Sequence, residues 1–147
     1  EKGVRPGTEN VAAIAGLGKA CEIAARDLAA EARRQTELRD LLWERLRSRI
    51  PGLALNGHPV NRLPNTLNVR FPGISGSALL AACTAAAAST GSACHEASET
   101  ASAVIVAMGV PADQALGSIR FSLGRGTTRE EIEFVADALA RCWQGLA

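Results

Sequence analysis

Apolar residues recur at helical spacing through Ile14, Leu17, Cys21, Ala24 and Leu28. They fade across Glu31 to Glu37 and resume at Leu38, Leu41, Leu42, Leu46 and Ile50. That period is one face of an α-helix. Thr8 is placed to cap it, and Glu9 suits the first turn, near the positive end of the helix dipole. Pro51-Gly52 stops it. A helix of about forty residues is far longer than average. Its polar middle implies two ends that serve different packing surfaces, as in a helix bridging two domains.

Shorter elements follow. Leu53 to Leu55 reads as a strand running into the turn dipeptide Asn56-Gly57. Thr66 to Phe71 alternates, with Leu67, Val69 and Phe71 on one face, and Pro72-Gly73 ends it. Ser75 is a cap for a helix through Cys83. Ala86 to Thr90 reads as a short strand, and Ser102 to Met108 as a short helix closed by Gly109. Ser118 to Leu123 alternates again, with Ile119, Phe121 and Leu123 facing one way and Ser118, Arg120 and Ser122 the other. Thr127-Thr128-Arg129-Glu130 reads as a capping box opening a last helix, whose apolar face is Ile132, Val135, Ala136, Leu139, Trp143 and Leu146. This order predicts an α+β fold, with helices layered over a small mixed or antiparallel sheet.

With 147 residues, 47% of them apolar, the chain can bury a core of ordinary domain size. There are three Phe, two Trp and no Tyr, so alanine and leucine must fill that core. A net charge of +1 supplies no field for nucleic acid. The four cysteines form no Cys-x-x-Cys pair and no histidine stands at zinc-ligand spacing, which argues against a metal site. Cys21 and Cys142 fall on apolar stripes, and Cys83 ends another, so all three are expected in the core. The longest apolar run, Ala78 to Ala88, is too short to span a bilayer, and Glu1 opens no signal peptide. The expected compartment is the cytoplasm.

Three segments carry candidate chemistry. In Gly91-Ser92-Ala93-Cys94-His95, a cysteine sits among small residues beside an imidazole, with the polar His95, Glu96, Ser98 and Glu99 after it. Those surroundings favour a reactive thiolate over an inert thiol. His95 either lowers the pKa of Cys94 or donates a proton, or is a solvated loop residue. Arg120 shares its strand face with serines; it either clamps a carboxylate through two parallel hydrogen bonds or forms a surface salt bridge. Arg125 is expected in a structural ion pair. In Arg5-Pro6-Gly7-Thr8-Glu9-Asn10, a Gly-Thr turn entering a helix offers N–H groups and a hydroxyl to a phosphate, or is an ordinary cap. His58 has no assigned role, and Leu63-Pro64-Asn65-Thr66 sets the start of a strand.

Taken together, Arg5 to Asn10, Arg62-Leu-Pro-Asn-Thr66, Gly91 to His95, and Ser118-Ile-Arg-Phe-Ser-Leu-Gly-Arg125 followed by Thr127-Thr128 resemble, in this order, the C-terminal part of cysteine desulfurases and the similar selenocysteine lyases. These are pyridoxal-phosphate enzymes of the aminotransferase class V type. The resemblance covers essentially the whole chain. It implies that Cys94 is the catalytic cysteine that takes sulfur from L-cysteine as a persulfide and leaves alanine, with His95 beside it. It also implies that Arg120 binds the substrate carboxylate, and that Gly7 and Thr8 reach the cofactor phosphate of the neighbouring subunit in a homodimer. A sulfur or selenium acceptor protein follows from the same likeness. So does a division into a phosphate-contacting turn with a long interdomain helix (residues 1–50) and a small α+β C-terminal domain (residues 51–147).

The chain departs from the family in its lysines. The cofactor needs one for its Schiff base, and this sequence has only Lys2 and Lys19, neither in the family's lysine motif. The expectation is therefore a small-domain fragment, inactive alone, of an enzyme acting on L-cysteine or L-selenocysteine. Its apolar first-helix face would be left exposed. The rival readings are a non-catalytic sulfur carrier or interaction module, and, more remotely, a redox protein using Cys94 and Cys83.

Overall fold

The computed structural model describes residues 2–3, 7–91 and 100–147. The order is α1 (Val11–Arg47), β1 (Ala54–Leu55), β2 (Thr66–Arg70), α2 (Gly76–Ala82), α3 (Ala103–Ala107), α4 (Ala112–Ala115), β3 (Ser118–Ser122) and α5 (Arg129–Leu146). The three strands form one antiparallel sheet in the order β1-β2-β3. Register runs from Thr66 opposite Ser122 to Arg70 opposite Ser118. The α+β expectation holds, and the sheet is antiparallel rather than mixed.

Alternation along β2 and β3 sends Leu67, Val69, Phe71, Ile119, Phe121 and Leu123 to one face. There they form one core with Leu38, Leu42 and Leu46 of α1, Leu79 of α2, and Ile132, Ala136 and Leu139 of α5. The indole N–H of Trp143 donates to the Pro72 carbonyl at 3.0 Å and anchors α5 to the end of β2. Gly117 leads into β3 where no side chain fits: a Cβ there would collide with the Phe71 carbonyl oxygen. That approach allows the Phe71 N–H to donate to the Gly117 carbonyl at 2.9 Å and extends the β2–β3 pairing.

Several expectations need correction. Helix α1 begins at Val11 with Asn10 as its cap, because the Asn10 side chain, not that of Thr8, accepts the Ala13 N–H at 3.0 Å. Its first turn therefore holds no acidic residue. Cys21 is exposed rather than core, as are Ile14, Leu17 and Leu28, which are between 57% and 68% accessible. At 1.5 Å per residue, a helix of this length runs about 55 Å. Its buried positions, Leu38, Arg39, Leu42 and Leu46, all lie in its last ten residues. Cys83 is buried, as expected, while Cys142 is half-buried, packed against the core. Burial and the neighbouring Cys83 raise the Cys142 pKa.

The segment 86–90 is not a strand; only Ser89 bridges to Arg120. A run of alanines offers none of the branched side chains that favour extended pairing. The capping box of α5 lies one residue later than expected. The Glu131 N–H donates to Thr128 Oγ1 at 3.2 Å, and the Thr128 N–H donates to Glu131 Oε2 at 2.9 Å. Thr127 Oγ1 instead accepts the Gly124 N–H at 3.0 Å. Leu146 of the expected apolar face is exposed. Helix α4 was not anticipated, although Pro111 followed by an acidic first turn is a helix-start signal.

The polar middle of α1 docks on the loop after β3. Arg34 donates to the carbonyls of Thr127 at 2.7 Å and of Gly124 and Arg125 at 3.0 Å, while Glu31 holds it from below. Arg125 reaches back to Asp27 at 2.7 Å, the structural ion pair expected of it.

Candidate functional site

The face of the sheet opposite the core is polar, and the strands determine which residues stand on it. Alternation in β3 turns Arg120 away from Ile119 and Phe121 and leaves it exposed. In β2 the same alternation sets Asn68 on that face, directly opposite Arg120 across the pair. On the other side of β3, the Ser89 N–H donates to the Arg120 carbonyl at 3.1 Å, and the Arg120 N–H donates to the Ser89 carbonyl at 2.7 Å. Both backbone groups of Arg120 are thus bonded to Ser89, and Asn68 faces it across the pair with β2. Among the described residues no acceptor bonds its guanidinium, so the surface salt bridge weighed above is not formed there.

Arg120 and Asn68 line a cavity of about 450 Å³ with Thr90, Gly91, Thr100 and Ala101. The Ser89 hydroxyl donates to the Gly91 carbonyl at 2.6 Å and ties down the start of the following segment. Cys94 and His95 lie outside the described residues. The segment that carries them joins Gly91 to Thr100, both of which line this cavity.

Behind the cavity a buried network holds the strand face. Asn56, only 6% exposed, donates from Nδ2 to Asn68 Oδ1 at 2.9 Å and to Ser118 Oγ at 3.0 Å. Arg70 donates from Nη1 to Asn56 Oδ1 at 2.9 Å. Sequence reasoning missed Asn56 and Asn68. The signal available was an Asn flanked by Leu67 and Val69 in an alternating strand, on the face where Arg120 stands.

Gly7 and Thr8 are exposed, ahead of α1, and Gly7 has a φ of +117°. The first buried residue of α1 is Leu38. Helix rise separates it from Asn10 by about 40 Å along the axis. Neither Gly7 nor Thr8 lines the Arg120 cavity. His58 organises its own turn, its Nδ1 accepting the Val60 and Asn61 N–H groups at 3.0 and 2.9 Å. The Arg62–Thr66 loop does set the start of β2. Arg39 donates to the Leu63 carbonyl at 2.9 Å, and the Leu123 N–H donates to the Asn65 carbonyl at 2.9 Å.

The donors of this cavity fit a carboxylate: a guanidinium with five N–H donors and a neutral amide. They do not fit the aldehyde of pyridoxal phosphate, which requires an amine. Lys19 lies exposed on α1 and donates to Glu22 at 3.0 Å, and no described lysine lines the cavity. Among the described residues no cluster of His, Cys, Asp and Glu suits a metal ion, and no helix is long and apolar enough to cross a membrane.

Comparison with known proteins gives this geometry a context. The Aminotransferase class-V family model matches residues 1–135. The chain is 43% identical over 143 residues to the cysteine desulfurase IscS of Dictyoglomus turgidum, covering 96% of this chain and 36% of that protein. It is 48% identical over 143 residues to a cysteine desulfurase of a Frankia strain, covering 96% of this chain and 34% of that one. Among solved structures, a NifS-like protein superposes with a TM-score of 0.80 at 32% identity, over 97% of this chain and 36% of the other. A NifS-like protein from Rickettsia africae superposes with a TM-score of 0.80 at 30% identity, over 97% of this chain and 37% of the other. The chain spans about a third of the length of the curated relatives it matches. A family match over most of its length and the NifS-like fold together make this chain a member of the aminotransferase class V family.

Proposed function

We propose that this chain is the carboxylate-binding and sulfur-accepting part of a cysteine desulfurase acting on L-cysteine. One observation carries the reading. Both ends of the segment holding Cys94, Gly91 and Thr100, line the cavity into which the open donors of Arg120 and Asn68 are gathered. The names of the relatives support cysteine as the substrate and sulfur transfer as the role.

In this reading Arg120 binds the substrate carboxylate through two parallel hydrogen bonds. The Cys94 thiolate takes the substrate sulfur. An S–S bond to Cys94 forms, the Cβ–S bond breaks, and Cβ gains a proton to become the methyl of alanine. The sum is one cysteine and one thiol in, one alanine and one persulfide out, with no external oxidant. His95, next in sequence, keeps the thiol ionised or supplies a proton. The persulfide then passes its outer sulfur to an acceptor protein. Pyridoxal phosphate would supply the electron-withdrawing chemistry at the substrate α-carbon, held through a lysine that this chain does not provide. Gly7 and Thr8, which do not line the Arg120 cavity, suit the cofactor phosphate of a neighbouring subunit in a homodimer better than a site in their own chain. This chain alone is then expected to be inactive.

The test uses the complete gene product loaded with pyridoxal phosphate. Cys94→Ala abolishes persulfide formation and alanine release from L-cysteine while leaving the melting temperature unchanged. Persulfide formation retained in that variant overturns the role of Cys94. Alanine release from L-selenocysteine alone would assign the protein as a selenocysteine lyase instead.

A further inference from the structure

The amide of Asn68 has its orientation set from outside the cavity. Arginine only donates hydrogen bonds, so the Asn56 oxygen must face Arg70 Nη1, at 2.9 Å. That turns the Asn56 amide nitrogen toward Asn68 and Ser118, where it donates at 2.9 and 3.0 Å. Asn68 must therefore present its own Oδ1 to Asn56, and its Nδ2, with two N–H donors, points the other way. Asn68 lines the cavity shared with Arg120 and stands opposite it across the strand pair. Among the described residues nothing accepts a bond from Asn68 Nδ2. Asn56 is 6% exposed and Ser118 2% exposed, so the relay that holds this orientation is shielded from water.

We propose that Asn68 is a second carboxylate-binding residue, donating from Nδ2 to a substrate carboxylate oxygen alongside the Arg120 guanidinium. This rests on the reading of Arg120 as the carboxylate clamp. A neutral donor beside the guanidinium adds direction without a second charge, so the site takes a single α-carboxylate in a fixed orientation. Arg70 and Asn56 are positioning residues for that donor.

The test measures equilibrium binding of L-alanine, the product that carries the carboxylate, to the complete pyridoxal-phosphate-loaded gene product by titration calorimetry. The variants are Asn68→Ala, Asn68→Asp and Arg120→Ala, with melting temperatures as the folding control. Asn68→Asp is the informative change. It keeps an oxygen for Asn56 and replaces only the donor end, now a carboxylate facing Arg120. Binding weakened roughly ten-fold or more by Asn68→Ala, the worth of one hydrogen bond to a charged group, and lost in Asn68→Asp supports the proposal. Asn68→Asp binding as tightly as the unchanged protein, with Arg120→Ala weakened, overturns it and leaves the Arg120 clamp standing. Binding unchanged in Arg120→Ala overturns the clamp and the role of Asn68 with it.

Discussion

On one face of the sheet, Leu67, Val69, Ile119 and Phe121 are at most 5% exposed and packed under three helices. On the other face, residues one step along the same strands, Asn68 and Arg120, stand opposite each other with open donors. A period of two makes this division possible, since neighbouring residues of a strand serve opposite surfaces. The core face holds the strands in register through contacts that any apolar residue of similar volume could make. The polar face uses that register to fix two particular donors at one place. Stability and recognition are therefore carried by alternate residues of the same ten positions in β2 and β3.

Substitutions should separate the two faces. Leu67 is fully buried, so Leu67→Ala should cost about 2–5 kcal/mol through lost burial and the cavity left behind. Denaturant unfolding measures this, and a loss below about 1 kcal/mol would mean that the core face is not the stabilising one. Asn56 is buried behind the polar face. Asn56→Ala removes the donor that Asn68 Oδ1 and Ser118 Oγ share and leaves Arg70 Nη1 only the Leu55 carbonyl at 3.4 Å. It should cost about 1–3 kcal/mol and also weaken carboxylate binding, the mixed effect expected of a connecting residue.

The smallest effect belongs to the tether between α1 and the loop after β3. Hydrogen bonds from Arg26 and Arg125 lower the Asp27 pKa from 3.8 to about 2. A depressed folded-state pKa contributes stability above the unfolded value and loses it as pH falls through the folded one. The tether should therefore loosen between about pH 4 and pH 2. Asp27→Asn should lessen that pH dependence without touching either face of the sheet, leaving the share carried by Glu31, whose pKa is lowered by the hydrogen bond from Arg34. Unfolding midpoints across that range would check it, and an acid response unchanged in the variant would contradict it.

β2 and β3 were legible because alternation with one buried face is a direct sequence pattern, and Arg120 stood out as the charged residue between Ser118 and Ser122. Periodicity in α1 reported an amphipathic face but not what covers it, which is why Cys21 was misplaced in the core. Helix ends were misread where several residues able to cap stand together, as Thr8 with Asn10 and Thr127 with Thr128. Asn68 was not legible. Its meaning depends on Asn56, which bonds it across 12 residues of chain, and on Arg70, which bonds Asn56 across 14. Cys94 and His95 were read from their neighbours in sequence and lie outside the described residues.

The most direct test of the division between faces is one substitution measured twice. Arg120 is exposed and its side chain makes no bond to any described residue. In Arg120→Ala, stability should change by no more than about 0.5 kcal/mol. Affinity for L-cysteine in the complete enzyme should fall by roughly ten-fold or more, as a charge-assisted carboxylate contact is lost. Unfolding free energy and the Michaelis constant give the two readings. A large loss of stability with an unchanged Michaelis constant would contradict the account and place Arg120 with the structural residues.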